Sequence, residues 1–429
     1  MQHPLRPRLR PFEVFPVKSN GDSAVAMRDP EGFTGTAVLP LPAALLASLM
    51  DGRRTLAEIQ ADFRAQVGPQ VALAELEQFV RRLDEAYLLD NDRFGQLRRD
   101  VVAQYLDSPR RAAAHAGGAY SADPEALRSQ LARLFAPPEG PGSPLFDAPR
   151  HTSAATLRGV LSPHIDLHRG GPAFAWAYKR LVEESAAETF VIFGTAHAPL
   201  SARFSITRKN FDTPLGTVET DQEFIDHLEA NFTRLAVGAQ QRLCGDELPH
   251  RHEHSVEFQA LFLQYLLGDR RPPRIVPVLV GSFHDLLAQR AQPDAAAEIA
   301  AFVAAMRAAE AVCGRPVAYI SGGDLAHVGQ RFGDEWLLDP SRLSEQAEND
   351  HGLLKAACRG DTSAMVDHVA NQNDRTRICG LSPTHIMMQV IRPCIGELLK
   401  YDQAVEPDGT SCVSFASVAF YSQHRDSQP

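Results

Sequence analysis

Hydrophobic positions follow two regimes along this chain. From about residue 155 to 424, short runs rich in β-branched and aromatic residues stop at Gly or Pro and alternate with longer stretches of helical period. Runs of that kind read as buried strands, here 157–161, 190–193, 274–280, 316–320 and 412–421. Helices are expected at 172–183, 221–230, 254–267, 293–309, 341–359 and 384–399. Such alternation predicts an α/β fold with a largely parallel or mixed central sheet flanked by helices.

The first part of the chain is patterned differently. Residues 12–17 and 24–27 read as two short strands around Ser19-Asn20-Gly21-Asp22, whose Asn-Gly pair suits a hairpin turn. A short apolar helix is expected over 42–50, and Thr55 followed by Glu58 is a capping box that starts a second. A third helix places Leu73, Leu76, Val80 and Leu83 on one face. Tyr87-Leu88-Leu89 then reads as a closing strand, which completes a small winged-helix (α+β) pattern. Residues 96–152, rich in Ala, Gly and Pro around one amphipathic helix at 124–135, read as linker. The expected division is therefore 1–95, a linker over 96–152, and 153–429.

Composition narrows the function classes. A chain of 429 residues is too long for one ordinary core, which supports two domains. A formal net charge of -10 argues against a nucleic-acid surface, since phosphate binding needs clustered positive charge. Basic and acidic side chains nearly balance over residues 1–100, so the winged-helix pattern carries no field for DNA. No apolar run approaches about 18 residues, so no membrane span is expected. The N-terminus lacks the apolar stretch of a signal peptide. Cys244, Cys313, Cys358, Cys379, Cys394 and Cys412 show neither a disulfide framework nor a zinc-ribbon spacing, which suits a reduced, cytoplasmic protein.

Candidate chemistry sits where strands end. Leu161-Ser162-Pro163 leads into His164, and Phe193-Gly194-Thr195-Ala196 into His197. In open α/β sheets ligands bind beyond the carboxyl ends of the strands, and imidazole is both the commonest metal ligand and the usual base near neutral pH. The layout recurs: His284 follows Gly281-Ser282, while Ser321-Gly322-Gly323-Asp324 is followed by His327. One such residue would more simply satisfy a local hydrogen bond. Four strand exits together favour a shared pocket.

His254 and Glu257, three apart on one helix face, can enter that pocket together. Glu257 would hydrogen-bond a ligand imidazole or act as a base; its bland alternative is to complement the helix dipole. Asp324 is expected to orient a histidine, and His327 to handle substrate or protons. Gly322-Gly323 marks a close backbone approach to a ligand, and Gln330-Arg331-Phe332-Gly333 is expected to position that loop. His250 and His252 read as a solvated loop, and Asp166 and His168 as either near the site or on the surface. Cys379 stands between Arg375-Thr376-Arg377 and Gly380 with a helix beyond, an electropositive entry that suits a reactive thiolate; the alternative at this point is a buried structural thiol.

The phrases SPHIDLHRGG, FGTAHAPLS, FDTPLGTVETD, HEHSVEFQALFLQYL, RIVPVLVG, SGGDLAHVGQRFG and TRICGLSPTHIMM resemble, in this order, the Memo family, whose prokaryotic members are called AmmeMemoRadiSam system protein B. The resemblance implies a fold like that of class III extradiol dioxygenases and a metal site of two His and one Cys. These fall on His164, His197 and Cys379. One transition-metal ion is implied, with Cu or Fe favoured and Zn left open by such donors. It also implies partnership with a radical SAM protein and an AMMECR-type protein, and points to a homodimer. DPEG, LMDGRRTLAEI and LDEAYLL make the first segment similar to PqqD-like domains, winged-helix units that recognise peptides.

Two His and a carboxylate are the usual ligands of Fe(II) oxygenases, and here a Cys stands in the third place unless Asp324 or Glu257 takes it. Ring cleavage therefore does not transfer with the fold. Three readings remain: a metal-dependent redox enzyme, oxidase- or dioxygenase-like, with a peptide-recognising N-terminal domain; a non-catalytic peptide or phosphopeptide-binding module; and a zinc hydrolase using Glu257 as base.

Overall fold

The structure is a computed structural model describing residues 6–19, 22–68, 71–146, 156–236 and 242–423; the expected turn at Asn20-Gly21 lies outside them. Its residues fall into two units, Met1–Asp107 and Ser108–Pro429. In the first, β1 (Glu13–Ser19), β2 (Asp22–Arg28) and β3 (Ala37–Pro40) form an antiparallel sheet in that order. Helix α1 (Leu41–Ser48) follows. Helix α2 (Leu56–Val67) opens on the expected capping box, with Thr55 accepting the Glu58 N–H while the Glu58 carboxylate accepts the Thr55 N–H at 2.7 Å. Helix α3 (Leu73–Glu85) buries Leu76, Val80 and Leu83, whereas Leu73, at its first turn, is exposed. Tyr87-Leu88-Leu89 is not a strand: Tyr87 takes a φ of 58° after α3, and Leu89 makes a single bridge to Leu9. Helix α4 (Asp92–Asp107) then fills the start of the expected linker.

The DPEG phrase has a structural cause in this unit. Asp29 is buried and accepts the backbone N–H groups of Glu31, Phe33 and Thr34, each at 3.0 Å. Arg10, also buried, donates to the same carboxylate at 2.7 Å, lies over the Phe94 ring at 3.6 Å and donates to the Tyr87 carbonyl at 3.0 Å. Burial alone would raise the Asp29 pKa, but Arg10 and the N–H donors outweigh it and hold the carboxyl below its usual range.

The second unit begins with β4 (Arg110–Arg111), α5 (Pro124–Leu134), β5 (Leu157–Ser162), α6 (Leu167–Glu184), β6 (Thr189–Thr195), β7 (Phe204–Ile206), β8 (Asn210–Thr213) and β9 (Gly216–Thr220). Helices α7 (Gln222–Leu235) and α8 (His254–Leu267), β10 (Arg274–Val280), α9 (His284–Ala288), α10 (Ala297–Val312), β11 (Val317–Gly322) and β12 (His327–Val328) follow. Last come α11 (Pro340–Cys358), α12 (Thr362–Ala370), α13 (Leu381–Ile391), β13 (Cys394–Val405) and β14 (Cys412–Ser422).

The sheet runs β12-β14-β5-β11-β6-β10-β9-β8-β4, with β13 on β14 and β7 on β10. Strands β5, β11, β6 and β10 are parallel neighbours, and β14 joins them antiparallel, so the sheet is mixed. Residues of β6 and β10 are buried almost throughout because apolar clusters cover both faces, with α5, α6 and α8 on one side and α7 and α10 to α13 on the other.

Two expectations need correction. The helix expected at 384–399 stops at Ile391, before Arg392-Pro393, because proline disfavours helix at the residue ahead of it and cannot continue one; residues beyond form β13. Residues 108–146 are not a connector. Leu127, Leu131 and Phe135 enter the same apolar cluster as α6 and α8, and the unit boundary falls at Asp107 rather than 95 or 152. Small residues around these widely spaced anchors dilute the apolar signal.

Replacing Arg10 by Met leaves the Asp29 carboxylate buried and unpaired, at an expected cost of about 3–5 kcal/mol. The folded Asp29 pKa is lowered, so the pair stabilises above the unfolded carboxyl pKa of about 3.9 and its contribution disappears as pH falls through the folded value. Hydrogen exchange on the full chain near neutral pH should accelerate across residues 6–107 in the variant. Unchanged rates there would refute this account.

Candidate metal centre

Strand order assembles the site. Because β11 lies between β5 and β6, the exits that carry His164 and His197 flank the Gly322-Gly323-Asp324 turn. The imidazoles lean toward each other, with ring centroids 5.0 Å apart. His164 is 2% exposed. Its Nδ1 faces the Gly322 carbonyl at 3.0 Å, and its backbone N–H donates to Asp324 Oδ1 at 2.9 Å. Asp324 also accepts the Ile165 N–H at 3.2 Å, and burial raises its pKa despite His164 beside it.

Cys379 reaches the same place through a close approach of two loops. A Cβ on Gly323 would stand 2.5 Å from the Gly380 Cα, and one on Gly380 would stand 2.5 Å from the Asp324 carbonyl oxygen. Glycine at both positions lets the Gly380 N–H donate to that oxygen at 2.9 Å. Of the two glycines expected to allow a close backbone approach, Gly323 meets the cysteine loop and Gly322 meets Ser255 of α8. Asn373, Asp374 and Arg377 all take positive φ in the approach to Cys379, strain that the surrounding bonds hold in place. The result is Cys379 Sγ 3.2 Å from His164 Nε2.

The N-terminus of α8 closes the third side. Glu253 caps it, accepting the Ser255 N–H at 3.0 Å. The same carboxylate accepts the His197 backbone N–H and faces His197 Nδ1, both at 2.9 Å. That bond points His197 Nε2 away from Glu253 and fixes its tautomer. His254 stacks on His197 with centroids 4.7 Å apart, and one ring nitrogen each from His164, His197 and His254 lie within 4.8 Å of one another. The His197 and His254 side chains remain 42% and 30% exposed, so the cluster is open on one side.

Charge is arranged in alternation. Burial opposes ionisation of Cys379, but His164 and His327 beside it pull the thiol well below its usual range. Burial likewise disfavours a charged His164, yet the thiolate and Asp324 push it up to about 9. Glu253 is held low by His197 against its burial, and His254 is driven well below an ordinary imidazole by burial. The positive surroundings of Cys379 come from imidazoles. Arg377, expected to help, is tied to Asp334 at 2.7 Å.

Other candidates separate. Glu257 does not hold an imidazole: it pairs with Arg111 and Tyr120 and accepts the His115 N–H at 3.0 Å. Glu253 takes the part foreseen for it. His327 Nδ1 faces the carbonyls of Leu325 and Arg377, both at 3.2 Å, beside the Phe332 ring. His250 is no loop residue in solvent: it is buried against the Ser205 hydroxyl at 3.1 Å, and burial lowers its pKa to about 4. His252 is half-buried against His115, and His168 and His284 are exposed and lie outside the cluster. Asp166 pairs with Arg169 at 2.8 Å. Sequence reasoning missed Glu253, Arg111, His115 and Tyr120. The acid between two histidines at a helix start signalled the first, and isolated large polar residues among alanines and glycines signalled the others.

The donor set suits a transition-metal ion. Bonds of about 2.1 Å to nitrogen and 2.3 Å to sulfur place neighbouring donors roughly 3.5 Å apart in tetrahedral geometry, close to the spacing of Cys379 and His164. Both ligand-type histidines have Nδ1 engaged by an acceptor, which leaves Nε2 for an ion.

Residues 111–419 match the family model described as Memo-like protein. A MEMO1 family protein of Aquifex aeolicus is 29% identical over 420 residues, covering 97% of this chain and 100% of its own. Relatives from Methanopyrus kandleri and Ignicoccus hospitalis, also MEMO1 family proteins, are 31% and 33% identical over 72% and 71% of this chain and 98% and 96% of theirs.

Cys379 stands apart from Cys244, Cys358, Cys394 and Cys412. Burial pushes Cys244 and Cys412 up to about 12 and Cys394 up to about 11, and raises Cys358, whereas Cys379 is lowered. In chelator-treated protein at about pH 6, where an ordinary thiol is protonated, iodoacetamide should label Cys379 first by peptide mass spectrometry. His164→Ala should abolish that preference. Equal labelling of several cysteines would contradict the charge arrangement.

Proposed function

The chain belongs to the Memo-like family, and from that premise we propose that its second unit is a metal-dependent redox protein, oxidase- or dioxygenase-like in character. What supports this reading is the gathering of ring nitrogens of His164, His197 and His254 within 4.8 Å of one another, with Cys379 Sγ 3.2 Å from His164 Nε2. These three would hold one ion, with His254 as a neighbouring fourth donor. Bound Cu or Fe would supply electron transfer with oxygen at that point, and Zn would not.

The chain's own residues do the rest. Glu253 and the Gly322 carbonyl keep the two imidazoles in the tautomer that presents Nε2. Asp324 fixes the turn that carries His164. His327, half-exposed near the thiol, keeps Nε2 available for a proton while Nδ1 faces carbonyls. A zinc hydrolase working through Glu257 gains no support, since that carboxylate is engaged by Arg111, Tyr120 and the His115 N–H.

Resemblance alone supports three further parts of the proposal: peptide recognition by the N-terminal unit, partnership with radical SAM and AMMECR-type proteins, and a homodimer. The absence of disulfides among six free cysteines suits a reducing cytoplasmic setting. Among the described residues, no helix is long and apolar enough to cross a membrane.

Protein purified without oxygen should carry about one transition-metal ion per chain by elemental analysis, and His197→Ala and Cys379→Ser should lose it. Unchanged metal content in those variants would overturn the metal reading. A peptide-binding module predicts ligand binding indifferent to chelators and no oxygen uptake, so an oxygen electrode separates the two.

A further inference from the structure

We infer that Arg111 is a positioning residue for the metal centre, acting through Glu253 on His197. This rests on the metal reading above and adds to it a segment that composition marks as linker. The Arg111 side chain is 0% exposed. Its Nε donates to the His250 carbonyl at 3.0 Å, Nη2 to the Glu253 carbonyl at 2.8 Å, and Nη1 to the Ala112 carbonyl at 3.0 Å while pairing with Glu257.

Two of those acceptors bracket the turn that leads into α8. Glu253 lies in that turn, and its carboxylate makes the three bonds that seat His197 and Ser255. One helical turn later, Glu257 binds Tyr120 and the His115 N–H, so the 111–120 strap grips α8 at successive turns. The strap also sets the His115 ring 5.7 Å from His254. A guanidinium can span this arrangement because its five donors lie in one rigid fork, whereas a lysine ammonium is a point charge. Burial of the pair is tolerated only with every donor matched. If the pair served stability alone, its donors need not converge on the carbonyl of the residue that orients a ligand histidine.

The test is a Co(II) titration of the full chain after chelation, read by affinity and by the visible and thiolate charge-transfer bands. Arg111→Lys keeps the charge but loses the fork. Arg111→Met combined with Glu257→Gln removes both charges and leaves none buried alone. Leu127→Ala empties core space on α5, in the apolar cluster that also holds Tyr120, and changes no residue of the strap or the turn. Both Arg111 variants are expected to lose about tenfold or more in Co(II) affinity, with shifted bands, while Leu127→Ala keeps the wild-type values. Folded Arg111 variants with wild-type affinity and spectrum would overturn the inference, as would an equal loss in Leu127→Ala. A wild-type chain that binds no Co(II) would instead overturn the metal reading itself, and this inference with it.

Discussion

Insertion of β11 between β5 and β6 is the constraint on which the site depends. Parallel strands stand about 4.8 Å apart, so the exits of β5 and β6 are separated by roughly 10 Å, a gap two facing imidazoles can close. The exit of β11 fills that gap with a carbonyl and a carboxylate that hold His164. Its glycine then admits the loop of Cys379 at backbone contact. Side chains 215 positions apart in sequence are therefore brought together by strand order and by two residues without side chains.

Electrostatics explains why so many ionisable groups can be enclosed together. Glu253, His197, Cys379, His164 and Asp324 form a row in which acids and imidazoles alternate, each shifting its neighbour. Burial, aided by the two imidazoles beside it, drives His254 well below an ordinary imidazole. Such a row has its charges matched in advance, so removal of one member disturbs all the others.

The sheet was legible because its strands are continuous apolar runs that end in Gly or Pro, a signal that survives without homologues. His164, His197 and Asp324 were legible for the same reason, each standing at a strand exit where sheet topology makes a crevice, while His254 was read from its place on a helix face. Cys379 was not readable from its spacing, since its place depends on a long-range loop contact. Its basic flank pointed to a reactive thiol, and only family phrases placed it with the two histidines. The hydrogen-bonding residues were harder still. Glu257 was singled out because the helical face rule favours i+3 partners, while the true partner of His197, Glu253, precedes the helix as its cap. Arg111 and Tyr120 sit among alanines and glycines whose low apolar content resembles a tether, and their importance appears only in the bonds they make. The closing strand after α3 failed for a local reason, a left-handed Tyr87 that no periodicity reveals.

Arg111 also bears on the order in which this protein is made. Its counter-ion Glu257 emerges from the ribosome 146 residues later, and the thiol later again. During synthesis the nascent chain can complete residues 1–107, whose acid-base clamp of Arg10 and Asp29 is closed within 19 positions. The bonds between the strap and α8 cannot form until residue 257 has been translated. The contact of Cys379 with His164 becomes available only after residue 379 has followed, late in synthesis.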